Sequence, residues 1–413
     1  MLTELNDIQM FADFRFHPVG HGLFYSGEIH LPGTKGNPIT FVYDCGGTKV
    51  ADRFEKFWNP YRGAGGRLDL LVVSHFHFDH IKGVPNLIKA AKPRSVVLPY
   101  LCQAEKIAYV ASLSAEQDLE ATPGELEEAG KFILDPETFC KSYCENQDCR
   151  IYYIRPDKKD GLMHENQGRQ TQETGTRDLY IPDATPSDKK NDVFDVPNGS
   201  AGRIAGWEFR FFMPKEASFS DDFKTWMDNE GITTDKFKLG SGADDLYKKI
   251  KNKFAELSAH TDPNVSNVVC AHGPLEANGY LCEWDASAGG SCFNCWRGCG
   301  ICPKMGNVER FADIQVLTGD AMFGNEIESE MEKYKDRCFL FQIPHHGSKN
   351  GWQDWFNELT NCKLRPVTHR WDCTYRGKPF MTDISNLVAA CHVTECPMSA
   401  LILRMFVHDR GAD

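Results

Sequence analysis

The chain has 413 residues, with 46 Lys and Arg against 58 Asp and Glu, so its formal net charge is −12. This acidic surplus excludes a general electrostatic attraction to nucleic acid or to an anionic membrane, although a local basic groove is compatible with it. The sequence contains neither a signal-peptide pattern nor a run of about 18 apolar residues that would span a bilayer. We therefore expect a cytoplasmic protein without a membrane segment, whose 16 cysteines are metal ligands or thiols rather than disulfides.

The first part of the chain predicts strands that end in polar turns. Residues 14–46 alternate glycines with short apolar runs, which is typical of a hairpin whose second strand, residues 39–43, ends at Asp44. Residues 68–73, LDLLVV, form a continuous apolar run, as expected for a strand that is covered on both faces. A short helix and a second buried strand follow at residues 85–91 and 95–100.

Two stretches interrupt the core pattern in the middle of the chain. Residues 102–203 are helical first and then, from residue 155, almost purely polar, so we expect an exposed insertion there. Residues 274–306 hold a dense group of cysteines and predict a second, Cys-rich insertion. Strand patterns recur at residues 207–214, 266–272, 312–320, 338–344 and 400–407, and helical patterns at 246–257 and 384–391. This alternation predicts one α/β domain over residues 1–413.

Residues 72–83, VVSHFHFDHIKG, follow the buried strand directly and concentrate three histidines and an aspartate. His75 and His77 can point the same way in an extended turn, whereas Asp79 and His80 are carried round the bend. The carboxyl end of a buried strand is where open α/β sheets bind their ligands. Imidazole and carboxylate suit zinc, manganese or iron, and the two sub-clusters indicate two ions. A solvated, histidine-rich loop is the alternative interpretation.

Three further stretches agree with this metal pattern: Asp44 in YDCGG, Asp320 in LTGD, and His345 with His346 in IPHHGS. Together with H-x-H-x-D-H they resemble the metallo-β-lactamase fold. With VGHG at residues 19–22 and NVSNVV at 264–269, they look like the branch of the ComEC-type DNA-uptake proteins and the phosphorylcholine esterases. The resemblance covers residues 12–101 and 204–413 without the Cys-rich insertion, and it implies an αββα sandwich.

The resemblance also implies a site for two divalent metals, with zinc, manganese or iron as candidates. The implied ligands are His75, His77 and one of His345 and His346 for the first ion, Asp79 and His80 for the second, and Asp320 as the bridge. Two ions about 3.5–4 Å apart leave room for a shared water whose pKa falls toward ~7. We expect that water to be the nucleophile, Asp79 to be essential for catalysis, and the spare histidine of His345 and His346 to protonate the leaving group.

One motif departs from the family pattern. Many relatives supply a further histidine to the second metal after HHGS, whereas the comparable stretch here, RGKPFMTD, has Lys378. His369 is the nearest substitute, and we favour an ordinary, partly exposed residue there. For His21 and His272, which lie near other strand ends, we favour a structural role, with contact to the site or substrate as the alternative. The sequence leaves open whether the second metal site is complete.

A separate cysteine pattern, C-x2-C-x3-C-x2-C, is formed by Cys292, Cys295, Cys299 and Cys302. The surrounding loop has little apolar content, so it needs a crosslink. Four thiolates suit a tetrahedral structural zinc at about 2.3 Å, with an iron–sulfur cluster or reduced cysteines as alternatives. Cys140, Cys144 and Cys149 are only three, and we expect no metal there.

The sequence therefore predicts a metal-dependent hydrolase of a phosphodiester, in a small nucleotide, a phospho-alcohol or a single-stranded nucleic acid. The substrate class follows from the family branch alone, because a metal pair would equally support hydrolysis of a lactone, thioester or lactam. The alternative from another class is a non-catalytic metal-binding module whose insertions bind a protein partner.

Overall fold

Two mixed β-sheets pack face to face in this protein. The computed structural model describes residues 8–31, 37–62, 66–113, 121–144, 149–156, 177–187, 192–213, 221–233, 244–257, 266–275, 280–288, 313–321, 323, 331–348, 356, 359, 362, 364–368, 390–393 and 400–409. The strands are β1 (Ile8–Phe16), β2 (Phe24–His30), β3 (Ile39–Cys45), β4 (Leu70–Val72), β5 (Ser95–Pro99), β6 (Arg150–Arg155), β7 (Thr185–Pro186), β8 (Val193–Pro197), β9 (Ala201–Ile204), β10 (Trp207–Phe212), β11 (Val269–Pro274), β12 (Tyr280–Ala288), β13 (Ile314–Leu317), β14 (Cys338–Phe341), β15 (Arg365–Thr368), β16 (Ala390–Val393) and β17 (Leu401–Asp409). The helices are α1 (Val50–Arg62), α2 (Phe78–Ile81), α3 (Val84–Ala91), α4 (Gln103–Leu113), α5 (Pro123–Leu134), α6 (Pro136–Tyr143), α7 (Asp221–Asn229) and α8 (Asp244–Leu257).

The larger sheet has ten strands in the order β12-β17-β1-β2-β3-β4-β5-β6-β8-β7. Its central strands, β3 to β6 and β8, run parallel, and the strands at both ends pair antiparallel. The apolar runs LDLLVV and SVVLPY contain β4 and β5, and every residue of these two strands is buried. Parallel strands carry their C-terminal ends to one edge of a sheet, so polar residues that follow β3 and β4 come together there.

The smaller sheet has the order β14-β13-β11-β10-β9, with β13 and β14 parallel and the other pairs antiparallel. The core between the sheets is aromatic, and its members include Phe14, Tyr25, Phe41, Trp207 and Phe209. Helices α1 and α3 to α8 pack on the outer face of the larger sheet. The α/β class and the two-sheet sandwich that the sequence predicts are therefore confirmed.

No helix among the described residues is long and apolar enough to cross a lipid bilayer.

The exposed insertion predicted from residue 155 onward is wrong for residues 177–187 and 192–203. In this stretch β8 extends the larger sheet beside β6, and β9 pairs with β10 in the smaller sheet. Four of its aliphatic side chains are buried, namely Leu179, Ile181, Val193 and Val196. An edge strand needs little apolar content, because pairing with an existing sheet satisfies its backbone groups and buries one face. The polar run at residues 157–176 lies outside the described residues.

Two further predictions change. The Cys-rich insertion predicted at residues 274–306 contains the strand β12. This strand pairs with β17 and covers an edge of the larger sheet that β17 would otherwise leave exposed. Residues 390–393 form β16 rather than part of the predicted helix over residues 384–391, because they pair in parallel with β15. The four cysteines of the C-x2-C-x3-C-x2-C pattern lie outside the described residues, so the structural zinc stays a prediction.

Candidate metal centre

The polar residues of the candidate site lie where strands of the two sheets end. Asp44 lies at the end of β3 and the histidine-rich turn follows β4, while Asp320 follows β13. The two sheets meet closely at this point, since the backbone N–H of Val268 donates to the carbonyl of Ser74 at 2.8 Å. Gly319 has a φ of +53°, and a Cβ there would lie 2.7 Å from Ser74 Oγ. The glycine of the LTGD motif therefore permits the close approach that brings Asp320 to the turn.

The turn over residues 75–80 changes from extended to helical backbone in its middle. His77 is the N-cap of α2, with an extended φ of −68° and ψ of 147°. Asp79 and His80 follow in the first turn of that helix, which makes the bend expected after His77. Phe76 and Phe78 alternate with the histidines and are buried in the core beneath the helices. The phenylalanines anchor the turn, and the polar side chains face the cleft.

Two groups of possible metal ligands share Asp320. One contains His75, His77 and Asp320, and the other contains Asp79, His80, Asp320 and His346; in each, the ligand atoms lie within 4.8 Å of one another. Asp320 Oδ2 is 3.8 Å from His75 Nε2, whereas Asp320 Oδ1 is 3.1 Å from His80 Nε2. Because the two carboxylate oxygens face different groups, Asp320 has the geometry of a bridging ligand.

His345 and His346 lie on different sides of Asp320. His346 Nε2 is 2.9 Å from Asp79 Oδ2 and 3.5 Å from Asp320 Oδ1. His345 Nε2 is 4.0 Å from Asp320 Oδ2, the oxygen that faces His75. Thus His346 brings an imidazole to the group of Asp79. His369 and Lys378 lie outside the described residues.

The backbone of this histidine pair is strained. Both His345 and His346 have a positive φ, 49° and 50°, which is unusual for a residue with a Cβ. Such strain costs on the order of 1–3 kcal/mol per residue and often marks functional sites. Here it turns two consecutive imidazoles toward the two oxygens of one carboxylate.

Hydrogen bonds at Nδ1 fix the orientation of three imidazoles. His80 Nδ1 donates to Asp44 Oδ2 at 2.8 Å, and His346 Nδ1 donates to the Thr368 carbonyl at 3.0 Å. Ser74 Oγ donates to Asp44 at 2.6 Å, so it accepts from His75 Nδ1 at 2.9 Å. With Nδ1 bonded in this way, Nε2 of each ring faces the shared carboxylates and is the nitrogen that a metal ion would bind.

One buried nitrogen shows that a cation fits this site. His75 Nε2 is buried and has no hydrogen-bond partner among the described residues. A buried polar atom without a partner costs about 1–3 kcal/mol. A divalent ion held by this nitrogen and by Asp320 would remove that cost, so the donor set is consistent with metal binding.

The charges at the centre of the cluster stabilise one another. Burial favours the neutral form of His80, but the carboxylates of Asp320 and Asp79 outweigh it and raise the pKa of His80 well above its usual value. Burial opposes ionisation of Asp79 and Asp320 too, yet the neighbouring histidines, His80 first among them, hold both pKa values well below the usual range. By contrast, burial lowers the pKa of His75 well below 6.5, with His80 adding to the effect. The carboxylates are therefore ionised, which is the state that binds a cation.

Residues 39–130 match the family model described as Metallo-beta-lactamase superfamily. The match contains Asp44 and the whole histidine-rich turn. The two mixed sheets with helices agree with the α/β fold that the resemblance to this superfamily implies.

Solved structures that are similar to this chain align with it at low sequence identity. An archaeal metallo-β-lactamase superfamily protein from Sulfolobus tokodaii is 16% identical over 49% of this chain and 55% of its own, with a TM-score of 0.20. The chain thus spans about half the length of that protein. A subclass B3 metallo-β-lactamase from a soil metagenome library is 11% identical over 89% of this chain and 81% of its own, with a TM-score of 0.27. No curated protein matches the chain.

His21 lies at the open side of the site. Its Nε2 is 3.4 Å from Asp79 Oδ2, its ring lies 4.4 Å from that of His346, and 35% of its side chain is exposed. The structural role favoured from the sequence is wrong for His21, because the residue contacts the site. The glycines of the sequence could have indicated this contact. A Cβ at Gly46 would lie 2.0 Å from the carbonyl oxygen of Asp79, so a glycine is needed where this loop packs against the histidine-rich turn.

The residues that orient the histidine ligands are not evident from the sequence. Ser74 and Thr368 carry no metal-ligand signature, and Asp44 was recognised as part of a family motif without a contact assigned to it. His272 lies between the sheets and contacts Tyr25 and Trp207, in agreement with its expected structural role.

Proposed function

We propose that this protein is a hydrolase that activates water between two divalent metal ions. The observation that carries the proposal is the position of Asp320, whose two carboxylate oxygens face two different groups of ligands. His75 and His77, with His345 beside them, would hold one ion, and Asp79, His80 and His346 would hold the other. In this proposal Asp320 serves both ions.

The donor set of imidazole nitrogens and carboxylate oxygens suits zinc, with manganese and iron as alternatives. When bound, two divalent ions supply Lewis acidity, which lowers the pKa of a water molecule and polarises the electrophilic centre of the substrate. The protein's own contribution is orientation. Asp44 fixes His80 directly and fixes His75 through Ser74, so the ligand atoms are in place before substrate arrives.

The two residues at the open side of the site are proposed to contact the substrate. His345 has 27% of its side chain exposed, and His21 has 35%. An imidazole that reaches solvent beside the reacting centre can donate a hydrogen bond to a substrate oxygen, or a proton to a leaving group. His345 is the better candidate for the leaving-group proton, because His346 lies deeper and is bonded to Asp79 and Thr368.

We further propose that the substrate is a phosphodiester of a small nucleotide, a phospho-alcohol or a single-stranded nucleic acid. Support comes from the motifs VGHG, LTGD and HHGS, which resemble a branch that includes DNA-uptake proteins and phosphorylcholine esterases. The net charge of −12 argues against long duplex DNA. The metal arrangement alone would equally serve a lactone, thioester or lactam.

The test is hydrolysis by the purified protein with added Zn²⁺ or Mn²⁺. The substrates are bis-p-nitrophenyl phosphate, p-nitrophenyl phosphorylcholine, single-stranded DNA, a lactone and a β-lactam. We expect the wild-type protein to hydrolyse a phosphodiester. A chelator should abolish this activity, and the Asp320→Asn variant should lack it. The matched control is His30→Ala, a histidine of β2 that stacks on Phe11 away from the cluster. Turnover of only the lactone or β-lactam would keep the hydrolase and reject the substrate class, and no turnover with metal bound would favour a binding module.

A further inference from the structure

A separate cavity of about 240 Å³ lies on the outer face of the smaller sheet. Its floor is formed by Ala271 and Gly273 of β11, which pair in register with Arg210 and Glu208 of β10. A Cβ at Gly273 would lie 2.7 Å from the carbonyl oxygen of Asp313, so no larger residue fits there. Two small residues therefore leave a depression between longer polar side chains.

Strand alternation explains why charged side chains surround this depression. In β10, Trp207, Phe209 and Phe211 point into the core between the sheets. The residues between them, Glu208 and Arg210, consequently point outward. Arg203 of β9 lies opposite Glu208 in the register, and Arg337, which precedes β14, completes the cavity wall.

The charges around the cavity leave a positive surplus. Arg203 and Arg210 share the single carboxylate of Glu208, at 3.7 and 3.3 Å. Arg337 makes a two-pronged ion pair with Asp313, at 2.9 and 2.5 Å. Three guanidinium groups thus meet two carboxylates, and one positive charge is uncompensated among the residues that line the cavity or pair with its arginines.

One donor at the cavity wall has no acceptor. Arg210 Nε is buried and lacks a hydrogen-bond partner among the described residues. An unpaired buried N–H of a charged group costs at least about 1–3 kcal/mol. An oxyanion in the cavity would supply that acceptor and neutralise the surplus charge, because guanidinium forks match the geometry of phosphate and carboxylate.

The cavity is distinct from the candidate metal centre. Ile314, the first residue of β13, lines the cavity, whereas Asp320 follows the other end of that strand. Arg337 precedes β14 and His345 follows it. The cavity and the His/Asp cluster therefore lie at opposite ends of the same two parallel strands.

We propose that this cavity is a second ligand site, which binds the phosphate or carboxylate group of a small molecule through Arg203, Arg210 and Arg337. Its volume is below the ~300–1,000 Å³ of sites for drug-sized ligands, so the ligand is an anion with a short organic part and not a nucleic-acid chain. The proposal does not depend on the reaction at the metal centre.

The test is calorimetric titration of the purified protein with inorganic phosphate and, separately, with citrate at low ionic strength. We expect saturable binding of one anion per chain that weakens at least about tenfold in Arg210→Gln. The matched control is Arg404→Gln, which removes an exposed arginine paired with Asp13 on the larger sheet. Asp320→Asn separates this site from the metal centre, since binding at the arginine cavity persists in that variant.

Glu208→Gln is expected to change the anion affinity in the opposite direction from Arg210→Gln, and a misfolded variant would not bind the anion more tightly. This variant removes the carboxylate that competes for Arg203 and Arg210, so we expect the anion to bind several-fold more tightly. Tighter binding of phosphate than of citrate assigns a phosphate-bearing ligand, and the reverse order assigns a carboxylate. The proposal is overturned if the wild-type protein binds neither anion saturably, if Arg210→Gln binds as well as wild type, or if Asp320→Asn abolishes binding.

Discussion

His80 and His272 are both buried histidines, yet their surroundings give them opposite properties. His80 lies among Asp44, Asp79 and Asp320, and these carboxylates raise its pKa well above the usual value in spite of burial. His272 lies in an aromatic cage between the sheets, and burial alone lowers its pKa to about 3. One region stabilises positive charge, and the other excludes it.

The hydrogen bonds of the two regions differ in the same sense. Trp207 Nε1 donates to His272 Nδ1 at 3.3 Å, and Tyr25 links His272 Nε2 to Gln315 over 3.2 and 2.8 Å. Both ring nitrogens of His272 are thus satisfied by protein groups. In the cluster, His75 Nε2 is buried without a hydrogen-bond partner among the described residues. Burial alone does not make a histidine a ligand; a free lone pair beside carboxylates does.

The largest effect is expected from Asp320→Asn. The amide keeps the size of the side chain but removes the charge that both ligand groups share, so hydrolysis should fall about 10³-fold or more. Initial rates with bis-p-nitrophenyl phosphate measure the loss, and circular dichroism checks that the fold persists. A rate within a few-fold of wild type would contradict the bridging role.

A smaller effect is expected from Asp44→Asn, since Asp44 contacts His80 and Ser74 but belongs to neither group of possible ligands. Loss of this orienting carboxylate should weaken metal affinity about 10–100-fold. Competition with a chromophoric chelator measures that affinity directly. Added metal should rescue turnover in Asp44→Asn but not in Asp320→Asn, and an equal response of the two variants would argue against the distinction.

His272→Gln should alter stability and leave the metal centre intact. The pKa of about 3 in the folded protein lies below the unfolded value of 6.5, so the unfolded chain binds the additional proton between these limits. The free energy of unfolding therefore falls as the pH decreases through this window, by about 1.4 kcal/mol per pH unit from this residue. Urea unfolding at about pH 6 and about pH 5 should show a correspondingly shallower decrease in the variant. An identical pH dependence in both proteins would reject the assignment.

The smallest effect is expected from His21→Ala. His21 is outside both ligand groups and partly exposed, so metal content should not change. Loss of its contact with Asp79 and with substrate should lower kcat/KM less than about tenfold. A measured loss of one ion per chain would instead make His21 a ligand.

The sequence predicts the parts of the site that are local in the chain. The continuous apolar run before His75 identifies β4, and the spacing of four polar residues in six positions separates the two ligand groups. The contact of Thr368 with His346 and that of His21 with Asp79 could not be predicted, because they depend on how distant loops close on the turn. Strands β8 and β9 could not be predicted because their composition is polar. Their pairing partners decide the matter: β8 adds to β6, which is far from it in sequence, and β9 adds to β10, which follows it after a turn.

Elemental analysis of wild type, Asp320→Asn and His272→Gln, purified in parallel, tests the central claim most directly. Comparing the three proteins cancels any ion held by the cysteines at positions 292, 295, 299 and 302. We expect equal metal content in wild type and His272→Gln, and about two ions per chain fewer in Asp320→Asn. Equal metal content in all three proteins would contradict this expectation.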